Sequence, residues 1–264
     1  MVESLSELND RVQKPQYKEV GNWMVRKILR PAALPLTWLL LHTPVTANQV
    51  TLAALLTGLL GIALCAAVGK GFYLAGMLLI QFWYLLDHVD GQIARYRGTS
   101  CLTGRFFDFL MHHILHGVFF FAPACFLYFK YGSFFWVLWG FVTAFCMTGF
   151  NMLHDIKYKT FFEYLSKAPG AVKQPAPGAS AGQARNPTGG HKAFSQAHKL
   201  IEMHVLMNLF TLSAFLDFFF RFETRAALFL VYGLLVPFCF AAKTTAWVLS
   251  RKIDTEFNAQ AWKD

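Results

Sequence analysis

The sequence predicts an all-α integral membrane bundle of six transmembrane helices preceded by an interfacial amphipathic helix, and three observations carry that prediction. Only 15% of the 264 residues are charged and 55% are hydrophobic, whereas a soluble domain carries roughly 25% charged residues. The apolar residues gather into runs of about 20, the length that crosses a bilayer as a helix. The basic excess behind the net charge of +9 falls in short connectors between those runs, the pattern of a chain whose solvent is lipid. The same composition excludes a disordered chain, a coiled coil and a small disulfide scaffold.

The first 20 residues are polar and hold neither an apolar core nor a small-residue cleavage site, so no signal peptide is expected and the N-terminus is expected in the cytosol. Trp23–Arg30 sets Arg26, Lys27 and Arg30 beside Trp23, Met24, Val25, Ile28 and Leu29, and Pro31–Leu41 is apolar but too short to cross. Such a segment lies in the headgroup plane. Residues 1–43 are therefore read as the cytosolic N-terminus with its interfacial helix, and residues 44–264 as the membrane domain. The six spans are Thr46–Val68, Gly71–Leu86, Phe106–Phe129, Phe134–Ile156, Met203–Phe220 and Ala226–Leu249. Between spans four and five, residues 166–198 are rich in Pro, Gly and Ala and contain no acid, as expected of a flexible cytosolic loop. Each basic residue near the surface favours anionic headgroups by about 1 kcal/mol. Membrane lipid is the expected partner of this charge, and no nucleic acid is expected.

Orientation follows from the Lys and Arg residues. With the N-terminus inside, nineteen fall on the cytosolic side and four, Lys70, Lys130, Arg221 and Arg225, on the other. This bias places both termini and the connector between spans two and three in the cytosol. The five cysteines show no metal-ligand spacing and read as small apolar packing residues. Trp83, Trp136, Trp139 and Trp247 near span ends are explained by an interfacial belt.

Span two ends in LLDHVDGQIARYRG and span three begins with TGRFFDFLMHHILHG. Acids at a hydrophobic boundary cost up to about 2.5–3.5 kcal/mol each, so compensation is expected. At about 100° per residue, Asp87, Asp90, Gly91 and Ala94 share one helix face, and Gly104, Asp108 and His112 form a stripe on the next. Converging carboxylates repel unless a cation sits between them, and oxygen ligands suit a hard ion such as Mg²⁺ or Mn²⁺. The alternative is a helix-end salt-bridge network with Arg95, Arg97 and Arg105; the glycines and alanine beside the acids favour the metal site.

These residues resemble the CDP-alcohol phosphotransferase family, whose motif is D-x2-D-G-x2-A-R-x8-G-x3-D-x3-D. Asp87, Asp90, Gly91, Ala94, Arg95, Gly104 and Asp108 keep that spacing, and His112 stands where the family has its fourth aspartate. The resemblance implies transfer of a substituted phosphate from a CDP-linked donor to an alcohol with release of CMP. It also implies divalent metal on Asp87, Asp90 and Asp108, a cytidine nucleotide at Gly91, Ala94, Arg95 and Gly104, and a homodimer. A lipid donor, CDP-diacylglycerol, is favoured because a notch at the membrane edge leaves its acyl chains in hydrocarbon. A soluble CDP-aminoalcohol donor with a diacylglycerol acceptor is the alternative, as is a catalytically inactive CDP-lipid-binding protein.

The family's fourth aspartate is the base that takes the acceptor's proton. His112 in its place has three readings: the base, since an imidazole with a pKa of about 6.5 suits work near neutral pH; a cation binding substrate phosphate; or the mark of lost catalysis. The base is favoured. His113 and His116 read as packing or hydrogen-bonding residues. His154, Asp155, Lys157 and Lys159 at the end of span four read as membrane-edge anchors before phosphate ligands. Asn48 and Thr51 read as a helix cap, although the family often has a similar Asn-x2-Thr entry facing the nucleotide.

Overall fold

The computed structural model describes residues 4–13, 23–167 and 199–261. Of the connector expected over 166–198, residues 166 and 167 close a helix and the remainder lies outside the described residues. Among the described residues the chain is helical, with no strand.

A capping box opens α1, Leu5–Val12: the Ser4 hydroxyl accepts from the Glu7 amide, and the Glu7 carboxylate accepts from the Ser4 amide at 3.0 Å. The expected interfacial segment is a π-helical turn, Val25–Leu29, leading straight into α2, Arg30–Leu41, with Pro31, which has no N–H to give the ladder, just after the π-helical turn. Next come α3, Ala47–Cys65, and α4, Lys70–Tyr96. Thr37 donates to the Gln92 side chain at 2.6 Å, and Gln92 donates back to the Arg30 carbonyl at 3.4 Å, which ties α2 to α4. The cap expected of Asn48 and Thr51 belongs instead to Thr46, whose hydroxyl accepts from the Gln49 amide while Gln49 accepts from the Thr46 amide.

Small residues let α3 and α4 touch. A Cβ on Gly76 would meet the Gly61 carbonyl at 2.5 Å and Cys65 Sγ at 2.6 Å, and one on Gly61 would meet the Gly76 carbonyl at 2.8 Å. Packing of this kind replaces the hydrophobic drive that is absent between helices in lipid. Gly76→Val is expected to lower stability by about 1–3 kcal/mol through overpacking, read as a drop in the thermal midpoint of the detergent-solubilised protein. An unchanged midpoint would mean that the two helices part freely. On α4, Tyr73, Met77, Ile80 and Trp83 face inward, each 1% exposed, while Phe72, Leu78 and Phe82 face outward. Outward aromatic and aliphatic residues of this size are what lipid accepts and water does not. Trp83 is therefore a core residue rather than part of an interfacial belt.

The third expected span is interrupted. It consists of α5, Leu102–Val118, and α6, Phe121–Tyr131, with Phe119 and Phe120 between them. Pro123 supplies the reason, since it has no N–H for the carbonyl of Phe119 and its ring crowds that carbonyl. Gly132, at φ +70°, ends α6 in the left-handed conformation that glycine adopts without steric penalty. After it, α7, Phe135–Lys167, continues well past the expected end at Ile156. The remaining elements are α8, Met203–Phe219, α9, Thr224–Leu249, and α10, Lys252–Ala261.

Among the described residues five stretches, namely α3, α4, α5 with α6, α7 and α9, are long and apolar enough to cross a membrane, and α8 is apolar but shorter. This count fits the six-span expectation, with α8 reaching only about 25 Å at 1.5 Å per residue. At the end away from the acids, Asp217 accepts from the Thr224 amide at 2.7 Å and hydroxyl at 2.8 Å, joining α8 to α9. Beside it Arg225 donates to the carbonyls of Cys65 and Ala67 and lies over the rings of Tyr73 and Phe126. A buried guanidinium is thus held by the exposed carbonyls of the α3 C-terminus.

Candidate active site

A cavity of about 500 Å³ opens where α3, α4 and α5 converge, within the range of small-molecule sites. Its lining includes Asp87, Asp90, Gly91, Ala94, Arg95, Gly104 and Asp108, so all the motif residues singled out ahead of His112 face one space. The two halves meet because α4 remains helical through the motif to Tyr96 and Gly98, at φ +66°, turns the chain before α5 begins. Cys101 caps α5, its sulfur accepting from the Gly104 amide at 3.4 Å.

The acids are not equivalent. Asp87 Oδ1 lies 2.9 Å from His112 Nε2, and Asp108 Oδ1 lies 3.3 Å from the same nitrogen. Ligand atoms of Asp87, Asp108 and His112 all fall within 4.8 Å of one another. Asp90 stands apart: it is 7% exposed, and its Oδ2 accepts from the Thr51 hydroxyl at 2.6 Å. The geometry therefore gathers His112, rather than Asp90, with Asp87 and Asp108, and leaves Asp90 facing the same cavity. Two carboxylates and an imidazole at this spacing fit a divalent cation, the carboxylates suiting Mg²⁺ and the imidazole shifting preference toward Mn²⁺ or a later ion.

The arginines do not form the salt-bridge network weighed from sequence. Arg95 Nε donates to the Val12 carbonyl, and Arg97 donates to the carbonyls of Val45 at 2.5 Å and Thr43 at 2.7 Å. Arg95 folds back along α4, so that a Cβ on Gly91 would sit 3.1 Å from its Nη1. A side chain at 91 would press the guanidinium away by a few tenths of an ångström, so glycine lets the arginine lie against the floor of the notch.

His112 lies behind the acids instead of lining the cavity. Its ring meets Trp83 edge-on at 5.8 Å and His116 at 5.5 Å. His116 pairs with Asn151 at 3.1 Å and His113 with Asp155 at 2.9 Å, which locks α5 to α7. These histidines have the packing and hydrogen-bonding roles expected of them. His154, Asp155, Lys157 and Lys159 do not line the cavity; Lys157 is buried against Glu256 of α10 at 3.0 Å.

Sequence reasoning missed Gln13, Arg30, Gln92 and Arg105 as cavity residues. Arg30 and Gln13 come from segments distant in sequence, which no spacing on α4 reveals. Gln92 sits inside the motif, and a polar amide next to Asp90 and Gly91 at the end of an apolar span was the available signal. Trp83 was missed as the wall behind His112.

Among known protein families, residues 44–172 match CDP-alcohol phosphatidyltransferase. This segment is a CDP-alcohol phosphatidyltransferase domain. No curated protein matches the chain. The matched range of the CDP-alcohol phosphatidyltransferase domain contains α3 through α7, and with them every cavity residue except Gln13 and Arg30. Its family transfers phospholipid head groups using a CDP-alcohol and an alcohol acceptor in a membrane, and is in general dependent on divalent metal.

Proposed function

We propose that this chain transfers a phosphatidyl group from CDP-diacylglycerol to an alcohol and releases CMP, with the active site and both termini in the cytosol. The observation that carries the reading is the single cavity that brings Asp87, Asp90 and Asp108 together with Gly91, Ala94, Arg95 and Gly104. Phe106 and Phe109 flank Asp108 in the sequence of α5 and are exposed apolar side chains, so a donor's acyl chains can stay in hydrocarbon while its diphosphate reaches the acids. The distribution of Lys and Arg supports the orientation. Residues 44–264 are read as one membrane domain, and residues 1–43 as its cytosolic preface.

Asp87, Asp90 and Asp108 would hold Mg²⁺ or Mn²⁺, with the imidazole of His112 standing behind them. A bound divalent ion offsets charge on the diphosphate and on the departing CMP. Gly91, Ala94 and Gly104 leave space for the cytidine, and Arg95 supplies a cation at the notch floor. His112 is the proton acceptor in this reading. Asp87 Oδ1 and Asp108 Oδ1 lie 2.9 Å and 3.3 Å from Nε2, contacts that orient the ring with this nitrogen toward the acids. The acceptor's oxygen attacks the phosphorus bearing the diacylglycerol moiety as CMP leaves, and its hydroxyl proton reaches the imidazole by way of the Asp87 and Asp108 carboxylates, which stand between the ring and the cavity.

CMP release from CDP-diacylglycerol, assayed with purified protein in the presence and absence of Mg²⁺ and across a panel of alcohols, tests the proposal. Metal-dependent CMP release with at least one alcohol is the expected result. Binding of CMP without release from any CDP-linked donor would instead establish an inactive CDP-lipid-binding protein. Release only from a CDP-aminoalcohol with diacylglycerol would reverse donor and acceptor.

A further inference from the structure

The N-terminal helix α1 lies far from the motif in sequence and outside the matched family range, yet it packs on the motif end of α4. Leu8 and Val12, one turn apart on α1, are both fully buried in the main core. Arg11 lies over the ring of Tyr96, 4.6 Å from its centroid. The carbonyl of Val12, in the last turn, accepts from Arg95 Nε, and Gln13 continues into the cavity lining. A free eight-residue helix is unstable in water, so burial of Leu8 and Val12 is what keeps α1 in place.

Arg95 is otherwise a long side chain with rotamers to choose from. The carbonyl at the negative end of α1 fixes its Nε, while Gly91 lets its Nη1 lie against α4. From this arrangement we propose that α1 is a positioning element of the nucleotide site, holding Arg95 over the Gly91 notch before the CDP group arrives. The inference rests on the reading of the cavity as a CDP site. Preorganisation of this kind strengthens binding by removing the ordering step, and Asp87 and Asp108 make their contacts with His112 rather than with α1. The effect therefore belongs to nucleotide affinity and the donor KM, with kcat preserved.

Leu8→Asp in the full chain places a charge in the α1 seat and is expected to release the helix. It should weaken CMP binding, measured by calorimetry, about tenfold and raise the donor KM similarly, with kcat within twofold of the wild type. Arg95→Lys, which keeps the charge but loses the Nε donor and leaves the fold untouched, should weaken CMP binding to a comparable degree. The double variant should bind CMP no more weakly than Arg95→Lys alone. Unchanged CMP affinity in Leu8→Asp, or additive losses in the double variant, would overturn the positioning role. Should Leu8→Asp not yield folded protein, wild-type CMP affinity in Arg95→Lys alone would overturn it. A wild-type protein that neither binds CMP nor releases it defeats the CDP-site reading itself, an outcome distinct from these.

Discussion

Asp87→Asn is expected to reduce metal-dependent CMP release at least a hundredfold, a loss of about 2.7 kcal/mol in transition-state stabilisation. The substitution removes a charge but little volume, and an amide oxygen can still accept from His112 Nε2, so the α4–α5 contact survives. What disappears is one of the two carboxylates that share the 4.8 Å cluster with His112. Removing a negative ligand weakens a divalent ion directly, and Mn²⁺ binding followed by electron paramagnetic resonance should weaken in parallel with activity. Full activity with intact Mn²⁺ binding would remove Asp87 from the metal site. Loss of activity with intact Mn²⁺ binding would leave Asp87 as the group that orients His112.

The second large effect is expected at His112. His112→Ala should lower kcat by roughly 10²–10⁴, the usual contribution of a positioned proton acceptor, with little change in donor KM because the ring lies behind the cavity wall. His112→Asp restores the residue that the family motif has at this place and should recover part of the lost rate. A phosphate-binding cation would behave differently: alanine would raise KM, and aspartate would be worse than alanine. Wild-type rate in His112→Ala would dismiss the base. Trp83 and His116 line the space around the ring, so alanine leaves a gap there, and thermal midpoints measured on both variants separate that packing loss from the chemical one.

The helical class, the spans and the motif face were legible because each rests on local pattern. Apolar runs report bilayer crossing, and the 3.6-residue period placed Asp87, Asp90, Gly91 and Ala94 on one side of α4 without reference to any other helix. What the pattern could not give was contact between elements. Thr51 read as a cap until α3 was set against α4, where its hydroxyl faces Asp90. Trp83 read as a belt residue because its distance from the span end was visible and its burial was not. Arg95 and Arg97 were weighed as partners of the acids, whereas their guanidinium groups go to carbonyls of Val12, Val45 and Thr43, atoms that every residue type carries and no sequence pattern marks. The break at Phe119 and Phe120 was legible in principle from Pro123, but proline is tolerated in membrane helices often enough to hide it.

The tight α3–α4 contact at Gly61 and Gly76 has a consequence for how the protein is made. Cavity residues other than Gln13 and Arg30 lie between Ala47 and Asp108, a stretch that a ribosome delivers as one helical hairpin and the first turns of the next helix. Domains form from the N-terminus as synthesis proceeds, and the atoms that meet at the glycine seam, those of Gly61, Cys65 and Gly76, all belong to this hairpin. The pocket can thus take shape in the membrane while α8 and α9 are still to be synthesised, with the later helices joining a centre that is already assembled.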